Sequence, residues 1–147
     1  TEMEGALGLA QFEERHNMLR KRKEVAHYFI RTLKKFEKYL QLPWHPKHVS
    51  HAFMLFPIVI KEGAPFTKSD LVFFLERNQV ETRDMMPLIN QPFYVKLYGN
   101  LEPKYPVTRW VNRNGFYIGC HPGMGPKERQ YITKTFNAFF ATLPKKK

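Results

Sequence analysis

The sequence contains one cysteine, Cys120, so no internal disulfide can form and no paired-cysteine zinc site exists. A reducing, cytoplasmic setting is the expectation that follows. Long apolar runs are also missing. The longest, Ala52 to Ile60, is broken by Pro57 and falls well short of the roughly 20 residues that span a bilayer. No signal-peptide architecture opens the chain, and a soluble protein without a membrane partner is expected. Acidic residues are scarce, 13 against 24 lysines and arginines, which sets the net charge at +11. No phosphate-cradling glycine loop is present either: His121–Gly125 (HPGMG) has glycines but lacks the following Lys-Ser/Thr. Ser50 and Ser69 have no glycine-flanked nucleophile elbow, and Cys120 ends an apolar strand, where a buried and inert thiol is expected.

What is present suffices for a core. Hydrophobic residues make up 43% and aromatics 15% of the 147 residues, and a chain of this size hides roughly 68–70% of its unfolded surface. One domain over 1–147 is predicted, with 144–147 as a loose basic tail. The first forty residues read as one long helix or two in line, because Met3, Leu7, Ala10, Met18, Val25, Phe29, Leu33, Phe36 and Leu40 fall on one stripe. Gly5 and Gly8 suit the close approach of another backbone to that helix. Pro43–Ser50 is a loop, and His51–Ile60 reads as a strand in which Pro57 marks an edge or bulge.

Thr67–Asp70 resembles a capping box with Asp in place of Glu, opening a helix whose apolar face is Leu71, Phe74 and Leu75. Gln79–Arg83 alternates like a short strand. Gln91–Tyr98 is a helical turn closed by Gly99, and Pro106 starts a helix with Val107, Trp110 and Val111 inward. Phe116–Cys120 is a buried strand, and Pro126 opens a last helix bearing Tyr131, Ile132, Phe136, Phe139, Phe140 and Leu143, stopped by Pro144. The order predicts an α/β (α+β) two-layer fold, a small sheet covered by helices.

Three features invite function. The basic balance, with Arg20–Lys23 on a helix, would suit a polyanion or nucleic-acid binding module, although the aromatics sit at core spacings and no nucleic-acid motif appears. His45, His48 and His51 recur every third residue, yet no acid accompanies them, so no metal site is expected. Thr82–Pro92 puts Arg83 at a strand end before a loop of unusual apolarity. Met85, Met86, Leu88 and Ile89 there either wall a binding site or plug the core.

Several segments, in order, resemble the DegT/DnrJ/StrS family of pyridoxal-phosphate-dependent nucleotide-sugar aminotransferases. Thr1–Gln11 (TEMEGALGLAQ) resembles the family's T-(D/E)-M-Q-A-A-x-G-x-x-Q helix start. Glu81–Pro92 (ETRDMMPLINQP) resembles its T-R-x-H-Y-x-P-L-H-x-Q-P stretch, and Gln91–Tyr94 the Q-P-x-Y that follows. Phe116–Met124 (FYIGCHPGM) resembles the L-P-L-H-P-G-L turn before the last helix. The resemblance implies the C-terminal small domain of a fold-type-I aminotransferase. In such enzymes an N-terminal large domain carries the Schiff-base lysine and most contacts to pyridoxal phosphate. This chain would then be inactive alone and would not hold the cofactor stably. It would wall the pocket for a nucleotide-linked keto-sugar and support a homodimer. Arg83 would clamp a phosphate or carboxylate, Asn90, Gln91 and Tyr94 would meet sugar hydroxyls, and His121 would serve the substrate or, more simply, its own turn. Met85 and Ile89 stand at or near positions where the family has His, which leaves amino transfer and the related sugar dehydration both open.

Overall fold

A computed structural model describes residues 1–144; Lys145–Lys147 of the expected basic tail lie outside the described residues. Branched and aromatic residues build strand β2 (Leu55–Ile60), and β4 (Gly115–Gly119) lies beside it with Phe56 opposite Ile118 and Pro57 opposite Tyr117. β3 (Thr82–Asp84) takes the other side of β4, and β1 (Leu40–Gln41) pairs with Val59 and Ile60 of β2. The sheet order is β1-β2-β4-β3 and every neighbouring pair is antiparallel. Because β1 reaches only Val59 and Ile60, one side of β2 is open at Pro57, the condition a proline inside a strand needs.

The two-residue period of a strand sorts these side chains. Phe56, Ile58, Phe116 and Ile118 are at most 1% exposed and form the inner face. Helices α2 (Arg15–Leu33), α3 (Lys68–Arg77) and α6 (Pro126–Thr142) add Phe29, Leu33, Leu71, Leu75, Ile132 and Phe136 to the same cluster. Mixed helices on a small antiparallel sheet are the expected α+β arrangement.

The capping box at Thr67 forms as read. The Thr67 hydroxyl accepts from the Asp70 N–H, and the Asp70 carboxylate accepts from the Thr67 N–H at 2.7 Å. The backbone bond, then the hydroxyl bond, hold the Asp70 carboxyl below its ordinary range. A carboxyl whose folded value lies below the unfolded one stabilises the fold above the unfolded value, and loses that contribution as pH falls through the folded value. The thermal midpoint of the wild type should therefore fall more steeply than that of Asp70→Asn on the acid side of the carboxylate range. Parallel curves would show that the box contributes nothing.

Several expectations are corrected. The first stripe divides at Glu14 into α1 (Glu2–Glu13) and α2, the two-helix alternative, but α1 buries no residue: Met3 and Leu7 face solvent, unlike Val25, Phe29 and Leu33 of the expected stripe. Leu40 belongs to β1, not to the helix. Nothing approaches Gly5 or Gly8.

The strand expected from His51 begins at Leu55, because Phe53 adopts φ +48° and interrupts the extended backbone. The strand expected at Gln79 begins at Thr82. Gln79 ends α3 at φ +58° while the Val80 N–H closes back on the Leu75 carbonyl at 2.9 Å, so Gln79–Glu81 serve as a helix stop and connector. In α5 (Pro106–Asn114), Val107 is 74% exposed and Trp110 39%; only Val111 lies against the sheet, where helix and strand meet. That junction requires Gly115, since a β-carbon there would collide with the Val111 carbonyl oxygen. Tyr131, expected on the apolar face of α6, is 49% exposed and donates its hydroxyl to the Asn78 carbonyl. The helical turn before Gly99 is α4 (Pro92–Tyr98), closed by Gly99 at φ +71° as its position required.

Candidate functional site on the open sheet face

The outer face of the sheet carries Arg83, Tyr117 and Pro57 in one row, fixed by the pairing of β3 with β4 and of β4 with β2. Arg83 is exposed, and its Nε and Nη2 donate to one Glu81 carboxylate oxygen at 3.0 and 2.6 Å. Hydrogen bonding to Glu81, followed by its charge, pushes the guanidinium pKa higher still, so Arg83 is a permanent cation. The pair is solvated and adds little stability, but it orients the planar fork.

Two hollows touch this row, and a third adjoins one of them. A depression of about 220 Å³ is lined by Glu81, Arg83, Tyr117 and Gly119. It shares Glu81 and Gly119 with a groove of about 560 Å³ that turns round the sheet edge to Ile118 of the inner face, with Met124 before α6 and Lys127 and Tyr131 on α6 as its other wall. On the opposite side it shares Tyr117 with a pocket of about 330 Å³ walled by Leu55, Asp84, Met85, Met86, Pro87 and Val111. Apolar walls with a few convergent charges are the usual make-up of a small-molecule site. Met85 and Met86 thus wall a cavity. Met86 and Leu88 are 77% and 63% exposed and do not plug the core, while Met85 and Ile89 are half-buried.

The other candidates lie apart from Arg83. Asn90 is exposed in the 3-10 turn Leu88–Asn90. The Gln91 amide reaches the Asn90 side-chain oxygen at 3.4 Å, and half-buried Tyr94 stacks on Tyr98 with ring centres 6.4 Å apart. None of the three lines a hollow that touches Arg83. His121 is spent on its own turn, where its Nδ1 accepts the Gly123 N–H at 3.0 Å. Conversely, Glu81, Tyr117, Gly119 and Lys127 line the site without having been singled out. Only the register of β3 on β4 puts the first three together, and nothing in local sequence reports that register.

Other chemistry is limited. Burial pushes the Cys120 thiol up to about 11, and it donates weakly to the Arg22 carbonyl at 3.4 Å, so it is no nucleophile at neutral pH. Among the described residues no group of three or more His, Cys, Asp or Glu could hold a metal ion, and no helix is long and apolar enough to cross a membrane. Pyridoxal phosphate does not fit within these residues alone. The groove of about 560 Å³ offers one exposed lysine, Lys127, no guanidinium for a phosphate, and a tyrosine hydroxyl already committed to Asn78.

Known proteins share this arrangement. The chain is 28% identical over 142 residues to the lipopolysaccharide biosynthesis protein RfbH of Salmonella typhimurium, covering 95% of this chain and 32% of that protein. It is 22% identical over 137 residues to GDP-perosamine synthase of Escherichia coli O157:H7, covering 92% and 35%. The solved E. coli GDP-4-keto-6-deoxy-D-mannose-3-dehydratase with bound hydrated PLP superposes with a TM-score of 0.71 at 20% identity, over 91% of this chain and 34% of that one, and shares the fold. The chain therefore spans about a third of the length of the curated relatives it matches. A sequence profile matches across residues 1–137, strands and hollows included, and on that match the chain belongs to the DegT/DnrJ/EryC1/StrS aminotransferase family.

Proposed function

We propose that this chain is the C-terminal domain of a pyridoxal-phosphate-dependent aminotransferase acting on a nucleotide-linked keto-sugar, and that its open sheet face forms one wall of the sugar-nucleotide pocket. The observation that carries this reading is the row centred on Arg83: an oriented, permanent cation on the outer sheet face, lining one hollow and neighbouring another with apolar walls. A guanidinium so placed suits the paired acceptor oxygens of a phosphate. The lysine and the cofactor's cradle belong, in this reading, to an N-terminal large domain. The exposed apolar residues of α1, Met3, Leu7, Leu9 and Phe12, give that domain or a second subunit of a homodimer a surface to cover. The relatives' part in lipopolysaccharide and GDP-perosamine formation supports a nucleotide-linked sugar as substrate.

The test compares the complete enzyme with this chain alone, each supplied with pyridoxal phosphate, glutamate and a nucleotide-linked 4-keto-sugar. The complete enzyme should yield the amino-sugar, read by mass, and the isolated chain should neither retain the cofactor through dialysis nor turn over. A dehydrated product from the complete enzyme would replace amino transfer by dehydration, and turnover by the isolated chain would overturn the assignment of chemistry to another domain.

A further inference from the structure

His45, His48 and His51 have no part in the open sheet face, yet the fold gathers them. Their loop lies against α2, and a separate cleft of about 310 Å³ is lined by Lys23 and His27 from the helix and by His45, Lys47, His48 and His51 from the loop. The remaining lining, Val49, Ser50 and Phe53, adds one hydroxyl and no charge.

Phe53 organises the cleft. Its φ of +48° turns the chain so that its ring is buried to 1% exposure, and three imidazoles gather around that ring. The ring centres lie 4.5 Å away for His51 and 5.8 Å for His27 and for His45. Two of these rings are fixed by backbone. The Phe53 N–H donates to His51 Nδ1 at 3.0 Å, so a neutral His51 carries its proton on Nε2. His45 Nδ1 lies 3.1 Å from the Pro46 carbonyl oxygen, which only accepts, so that nitrogen holds a proton and Nε2 is the atom that gains one on charging. Lys23 donates to the Ser50 hydroxyl at 2.8 Å, tying helix to loop.

No aspartate or glutamate lines this cleft. The neighbouring acid on α2, Glu24, is held by Arg20 at 2.6 Å. Two ammonium groups and four imidazoles, with no carboxylate among them, suit a ligand rich in acceptor oxygens. Imidazole is also the side chain that ordinarily charges between about pH 5 and 8. We propose that this cleft binds a phosphate-bearing anion, and that it holds the anion more tightly as its histidines take up protons. Trp44, adjacent in sequence to His45 and 84% exposed, offers a stacking face if the phosphate belongs to a nucleotide.

The experiment titrates inorganic phosphate, and separately ADP, into the 147-residue chain at pH 6 and pH 8 and constant ionic strength. It follows the imidazole Cε1–H resonances and, with Trp110→Phe to isolate Trp44, tryptophan fluorescence. Saturable shifts are expected, about tenfold tighter at pH 6 than at pH 8. Phosphate itself loses negative charge over that descent, so a gain must come from the protein. Binding should be lost in Lys23→Ala combined with His48→Gln, and kept in Lys134→Ala, which removes an exposed lysine of α6. Both variants should retain the unliganded thermal midpoint, and each single substitution should weaken binding by itself. Tighter binding of ADP with quenching of Trp44 would identify a nucleotide as the source, and equal binding of the two ligands a free phosphate; either supports the cleft. Non-saturating shifts, equal affinity at the two pH values, or equal losses in the cleft and control variants would overturn it.

Discussion

Arg83→Ala should lower kcat/KM of the complete enzyme for its nucleotide-linked substrate by about a hundredfold, on the order of 2–3 kcal/mol, which is the usual loss when one partner of a charged hydrogen-bonded pair is truncated. Arg83→Lys should recover only part of it, because an ammonium restores the charge but not the two parallel N–H donors. The fold should not notice either change. Arg83 is exposed and its only described partner, Glu81, is solvated, so the thermal midpoint should stay within experimental error of the wild type. An enzyme with unchanged kcat/KM after Arg83→Ala would remove this arginine, and the wall built round it, from the substrate pocket.

Phe56→Ala carries the largest expected effect on stability. Phe56 is fully buried on β2, sits opposite Ile118 of β4, and meets the Phe29 ring of α2 edge-on with centres 5.4 Å apart. It therefore joins the sheet to its principal helix. Removing a buried phenyl ring leaves a cavity that close-packed neighbours fill only partly, at a cost of about 3–5 kcal/mol. Since small domains are stable by roughly 5–15 kcal/mol in total, urea unfolding of the 147-residue chain should show a large fall in midpoint at similar slope. Phe56→Leu should be much milder. A loss under about 1 kcal/mol for the alanine variant would mean that the sheet and α2 do not share one core.

Local chemistry was legible in the sequence, and contacts at a distance were not. The capping box at Thr67 and the stop at Gly99 were readable because cap and turn geometry depend on residues a few positions apart. The strand at Phe116 was misplaced by one residue only. The sequence placed Met3 and Leu7 on one apolar stripe with Val25 and Phe29, but periodicity does not say whether anything packs on such residues; in α1 nothing does. The same limit explains Val107 and Trp110, whose spacing is that of buried residues on a helix that touches the sheet near one end. Phe53 and Gln79 displaced two strand starts because neither residue type advertises a left-handed backbone. At the candidate site, the sequence named Arg83 from its place at a strand end before an apolar loop. Tyr117 and Gly119 joined it only through strand register, and Lys23 and His27 joined the histidine loop only through the packing of α2.

The fully exposed helix α1 implies a chain with two tiers of protection. A helix of 12 residues that buries none of them stands on its cap and its intrinsic propensity alone, and Gly5 and Gly8 each weaken it by about 1 kcal/mol relative to alanine. Its amides open at almost no free-energy cost and exchange with solvent while the centre of the sheet stays shut. Amides in β2 and β4 trade their protons only when the whole molecule comes apart.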